Sequence, residues 1–288
     1  LADRAVEVAR RYAELAPDNP HSLHMPTHIF TRLGMWEASI ILNIRSAAAA
    51  KAQPHGKAVS LHYPHALDYM LYGYLQTGQE GKAREVVETI AAIQPPIQVH
   101  PASAYHLASA RARWTLERHD WSAAAATSPR MPVDFPWDKF PQFEALAQFG
   151  VAIGAARSGN TQKAKTAIGR LQTLEKATGH SYWKNQVKVM RLASQAWLAE
   201  AEGDRVTAAA RMQESAELEA SMSKHPITPG EILPAGELLG DLMMLHGKPS
   251  EALAAYQSAL DRTPNRLNSL YGAGKAAEAL GETDKARG

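Results

Sequence analysis

A helix stop that recurs after every second helix-length segment constrains this chain most. Gly34, Gly78, His119, Gly159, Gly203, Gly247 and Gly281 stand 44, 41, 40, 44, 44 and 34 residues apart. A glycine just past a helix end lets the backbone turn out of the helix without a Cβ penalty. Five residues after each stop comes a small residue: Ser39, Ala83, Ala124, Ala164, Ala208, Ala252 and Ala286. Small side chains there let two helices approach closely. The pattern predicts a row of antiparallel helix pairs. First helices are expected from Pro20 up to Gly34, and at Pro64–Thr77, Pro101–Arg118, Trp137–Ser158, Tyr182–Glu202 and Leu233–His246. Their partners are expected at Trp36–Ala52, Glu80–Ile93, Asn160–Ala177, Asp204–Lys224 and Pro249–Arg262. No alternating apolar pattern of useful length argues for strands.

The terminal period of 34 residues is diagnostic. Leu239-Gly240, then Ala252, Tyr256 and Ala259, then Pro264, follow the order of the tetratricopeptide pattern. Physically, the aromatic fills the space between paired helices, and the proline ends the second one. The chain therefore resembles the tetratricopeptide-repeat superfamily. That resemblance implies an all-α solenoid of antiparallel helix pairs in a right-handed superhelix, with Gly240, Ala252 and Ala259 as packing residues. Residues 1–288 read as one array, because each repeat buries its faces only against its neighbours. N-terminal repeats fill 1–126 and C-terminal repeats 137–288. The proline-rich stretch Thr127–Pro136 joins them, and Lys224–Pro234 is a second interruption.

Longer segments, HMPTHIFTRLGMWEASI, HALDYMLYGYLQ and TPGEILPAGELLGDL, resemble a bacterial tetratricopeptide-type family of unassigned function. The resemblance implies that this is the C-terminal half of a longer protein, and it suggests a periplasmic or secreted location. The amphipathic start, Leu1–Ala16, fits this as the second helix of a pair whose first helix precedes it.

Composition excludes several functions. A net charge of +2 without a basic run gives no footprint for nucleic acid. There is no cysteine, so disulfides and thiolate metal sites are ruled out. No apolar run reaches the ~18 residues of a membrane span. Nucleophile-elbow and phosphate-cradling glycine motifs are also missing, which leans away from an enzyme.

What remains is an unusual set of histidines. Pro20 opens the first segment, with Asn19 as its cap, and His21, His24 and His28 follow at i, i+3 and i+7 on one helix face. Pro26 between them either kinks this helix or starts it, leaving His21 and His24 on the leading loop. Counted back from the helix stops, His21, His65 and His106 share one repeat position. His24 and Asp68 share a second, and His28 and Tyr72 a third. In tetratricopeptide arrays such positions face the concave groove. The resemblance thus places His21, His24, His28, His65, Asp68 and His106 along a groove, with His62 beside them and Tyr72 and Arg113 deeper.

Neutral imidazoles with a carboxylate suit zinc, copper, nickel or ferrous iron, and His24, His28, His65 and Asp68 are the candidate ligands. The same histidines could equally bond backbone carbonyls or pack between helices. His55, His119, His180, His225 and His246, at loops and helix ends, read as structural, and Trp36, Trp121 and Trp137 as core wedges. Three functions are consistent with this. The first is a binding module holding a protein, peptide or small ligand. The second is a metal-binding protein or metalloenzyme. The third is a structural subunit of a larger assembly.

Overall fold

The computed structural model describes residues 3–225 and 228–282. Among them are fourteen α-helices and no β-strand. After α1 (Val6–Leu15), the helices alternate between two rows. The inner row holds α2 (Pro20–Arg32), α4 (His62–Gln76), α6 (Pro101–Leu116), α8 (Pro141–Arg157), α10 (Ser181–Ala201), α12 (Ala235–Leu245) and α14 (Leu267–Ala279). The outer row holds α3 (Trp36–Ala52), α5 (Glu80–Ala91), α7 (Trp121–Ala126), α9 (Thr161–Ala177), α11 (Arg205–Ser221) and α13 (Pro249–Arg262). Each inner helix touches the next and packs against the outer helix that follows it. This is a tetratricopeptide-like solenoid.

The recurrent stops act as the sequence implies. All seven residues have positive φ, between 54° at His119 and 84° at Gly203. At each, the next N–H reaches back to a carbonyl of the finished helix: Met35 to Phe30 at 2.8 Å, Asp120 to Thr115 at 2.9 Å, Lys248 to Met243 at 2.9 Å. Those bonds satisfy carbonyls that the helix leaves unpaired. His119 does this without being glycine, its ring stacked on Trp121 at 4.9 Å. The expected small residue Ala286 lies outside the described residues.

Some boundaries shift. The Asn19 side chain accepts from Ser22 N–H at 3.0 Å, and α2 runs unbroken through Pro26, so His21 and His24 are helical. Helix α4 begins at His62, two residues before Pro64, because proline is tolerated throughout the first turn, where N–H groups have no helical partner. Helix α8 begins at Pro141 rather than Trp137, after a short 3-10 turn at Trp137–Lys139. The connector is anchored by Phe135, Trp137 and Phe140, all buried, and Trp137 Nε1–H donates to Pro132 O at 2.9 Å.

The row curves until its ends meet. Trp36 Nε1–H donates to Asn265 O at 2.8 Å, and Leu267 N–H to Gln76 Oε1 at 2.9 Å. Arg266, fully buried, donates to Glu117 (2.8 and 2.9 Å), to Glu237 (2.7 and 2.9 Å) and to Tyr72 OH (3.2 Å). Gly34 is obligatory here for a second reason: a Cβ would overlap the Pro264 carbonyl. The second interruption passes along the same inner face. Arg32 donates to the carbonyls of Lys224 and His225, both at 3.0 Å, and Tyr105 OH donates to Gly230 O at 3.0 Å.

Candidate metal centre

The site is built where α2 and α4 lie side by side. His21 faces His62 (ring centres 5.6 Å apart), His24 faces His65 (4.0 Å) and His28 faces Tyr69 (5.3 Å). Each facing pair is 41 residues apart, whereas equivalent repeat positions in these two repeats are 44 apart. Helices α2 and α4 are therefore staggered by about one turn, and a residue of α2 meets the α4 side chain one turn ahead of its own repeat equivalent. Between α4 and α6 there is no such stagger: the equivalent residues His65 and His106 stack at 4.2 Å.

That stagger brings His24, His28 and His65 together. One ring nitrogen from each lies within 4.8 Å of the others. His24 Nδ1 lies 2.6 Å from Asn43 Oδ1, and the Asn43 amide is oriented by its own Nδ2 donating to Ser39 O at 2.8 Å. The His24 proton is thereby placed on Nδ1, and Nε2 carries the lone pair. Among the described residues that Nε2 is buried without a hydrogen-bond partner, and so is Nε2 of His65. His28 Nδ1 lies 2.8 Å from Tyr69 OH, leaving Nε2 as its remaining nitrogen. Backing one imidazole nitrogen so that the other is presented is how proteins orient histidine ligands.

Electrostatics keep these rings neutral. Burial, reinforced by neighbouring imidazoles, pushes His24 and His65 well below the ordinary histidine range. Burial lowers His28 to about 4, with His106, His21 and Arg32 adding in the same direction. Neutral imidazole is the ligating form. An ion about 2.1 Å from a nitrogen lies roughly 3.2 Å from the ring centre, so two rings sharing it are centred roughly 5–6 Å apart. His28 and His65, at 5.8 Å, match this spacing, and His24, at 4.0 Å from His65 and 4.6 Å from His28, would move outward by roughly 1 Å.

Asp68 lies elsewhere. Its Oδ2 accepts from His106 Nδ1–H at 2.8 Å and from Ser109 Oγ–H at 2.7 Å, and its Oδ1 faces Arg113 Nε at 3.6 Å. Burial raises its carboxyl, but Arg113 and the two hydrogen bonds outweigh it and hold the group below its ordinary value. Shared repeat position does not make Asp68 a neighbour of His24, because of the one-turn stagger. Its connection to the trio runs through His106, whose ring stacks on His65 at 4.2 Å.

Tyr72 and Arg113 also stand apart from the trio. The Arg113 guanidinium lies over the Tyr72 ring at 4.2 Å and donates to Glu231 O at 3.1 Å. Both residues hold the chain's own C-terminal segments where a ligand groove was expected. His21 is exposed and pairs with His62. Sequence reasoning missed Asn43 and Tyr69. The one available signal was a polar Asn43 in the register of Ser39, Ile40 and Ala47, all of which are buried.

No family model matches the chain, and no curated protein matches it. Ten chains of solved structures do. One, described as "Structure of Naa15/Naa10 bound to HypK-THB", is 17% identical, with a TM-score of 0.30, over 97% of this chain and 37% of that one. The chain thus spans well under half the length of that protein.

Proposed function

We propose that this chain is a helical-repeat binding module whose ligand is a first-row transition-metal ion held by His24, His28 and His65. One observation carries the reading. Two buried imidazole nitrogens have no hydrogen-bond partner among the described residues and belong to a trio whose ligating atoms lie within 4.8 Å of one another. A buried polar atom without a partner costs about 1–3 kcal/mol, and a bound ion would satisfy both. Three neutral nitrogens and no thiolate suit zinc, copper or nickel. Three protein ligands leave a coordination position open for water or a further ligand. Asn43 holds the His24 tautomer, Tyr69 backs His28, and the His65 ring rests on His106.

The test is zinc and copper binding to the purified chain, by metal analysis and calorimetry, beside a His24→Gln/His65→Gln variant. One tightly bound equivalent should be present in the parent and be lost in the variant. Equal binding by both, or none above background in the parent, would refute the centre. Because burial depresses the imidazoles, proton competition should set in at a lower pH than it does for exposed histidine ligands.

A protein or peptide partner is the second reading. It is favoured by exposed apolar residues at the two ends of the row: Val8 and Leu15 on α1, Leu270 and Tyr271 on α14. A partner there would meet the array's ends, since its inner face already carries the protein's own segments.

A further inference from the structure

The histidines of α2 and α4 form more than one group. His21 and His62 face each other at the N-terminal ends of the two helices, three residues before His24 and His65 respectively. Three residues along a helix is a rise of roughly 4.5 Å, about one turn. Their ring centres, 5.6 Å apart and tilted by 54°, fall in the roughly 5–6 Å range of two imidazoles sharing one ion. His21 is exposed and His62 half-buried, so solvent reaches this pair more readily than the buried His24 and His65. No carboxylate is paired with either ring among the described residues, and no hydrogen bond from either ring nitrogen is seen there.

Resting on the metal-binding reading above, we propose that His21 and His62 form a second, weaker site for the same divalent ion and hand it to the inner centre. Two protein ligands completed by water bind less tightly than three. The outer ion therefore stays exchangeable, while the inner one is retained. Occupancy of the outer pair places an ion one helical turn from the nitrogens of His24 and His65. Transfer then needs only stepwise replacement of water and outer imidazoles by inner ones. Neither ring of the outer pair is part of the buried core, so the arrangement can be altered without removing a packing residue.

Zinc ion is the probe, with the full chain in three forms: parent, His21→Gln/His62→Gln, and His24→Gln/His65→Gln. Equilibrium dialysis gives the stoichiometry, stopped-flow transfer from a chromophoric zinc indicator gives the loading rate, and far-UV circular dichroism confirms the fold. The parent should bind two ions, one at least tenfold more weakly. The outer variant should bind one, with the tight constant unchanged within twofold and loading slowed at least fivefold. The inner variant should keep only the weak ion. An outer variant that still binds two ions, or that loads as fast as the parent, overturns the proposal. A parent that binds a single ion, lost only in the inner variant, overturns the outer site and leaves the inner centre standing. No zinc bound by the parent overturns both.

Discussion

Acid should expose the histidine trio before it exposes anything else in the N-terminal repeats, and His28 allows the effect to be sized. Its folded-state value is near 4, against 6.5 for an unperturbed histidine. Between those two values the unfolded chain takes up a proton that the native site rejects. Stability is thus intact above pH 6.5 and is lost progressively as pH falls towards 4. At 1.36 kcal/mol per unit, and allowing for a ring that is only partly buried, the loss by pH 4.5 is about 1.5–2.5 kcal/mol. His28→Gln removes the titrating group and keeps a partner for Tyr69. Urea unfolding followed by far-UV circular dichroism, from pH 7.5 to 4.5, should show the variant losing about 1.5–2.5 kcal/mol less than the parent. Glu219 works in the opposite direction: burial raises it to about 8, so its contribution is full below its unfolded value and is lost as pH rises through 8. It is present in both proteins and drops out of the difference. Parent and variant curves that stay parallel within about 0.5 kcal/mol would refute the reasoning.

Further outcomes follow from other contacts. Arg266→Met leaves Glu117 and Glu237 buried without their cation, a loss of about 3–5 kcal/mol, and the melting temperature should fall by roughly 6–15 °C. Adding Glu117→Gln and Glu237→Gln should recover much of it, and a single variant that melts like the parent would dismiss the closure as an energetic feature. Asn43→Leu removes the acceptor that fixes the His24 tautomer, so zinc affinity in calorimetry should drop about 10–100-fold while helicity is retained. Gly240→Ala places a methyl 2.6 Å from the Tyr256 ring. The overpacking, about 1–3 kcal/mol, should outweigh a helix-propensity gain of ~1 kcal/mol in thermal melts.

The repeat architecture was legible because its signals are local. A helix stop, a small residue five positions on and a proline in the first turn each act within a few residues, and all seven stops adopt the backbone they imply. The site was only half legible. Repeat equivalence put the histidines on one face of the inner helices, but contact between the staggered α2 and α4 depends on how two rods pack, which counting within one chain does not reveal. That one-turn stagger is why His65, and not Asp68, faces His24. Asn43 sits on an outer helix, and its role needed the orientation of its amide. The ring closure through Arg266 and Asn265 joins residues about 150–230 positions apart, and no periodicity carries such a pairing.

The closure also decides which polar residues of the inner face are candidates for function. Buried polar groups are retained either because partners inside the protein satisfy them or because something from outside does. From Asp68 through Arg113, Glu117 and Arg266 to Glu237, buried carboxylates and guanidiniums alternate, with contacts of 3.6, 3.9, 2.8 and 2.7 Å. Removing one member strands its neighbours, so this chain of charges fixes how the two ends of the array meet. One turn away the logic reverses. His24 and His65 each carry a buried ring nitrogen in a three-histidine group, and no hydrogen-bond partner answers them among the described residues. Residues so close in space are thus differently satisfied: the ion pairs hold the ring closed, and the imidazoles carry the nitrogens on which the proposed metal site rests.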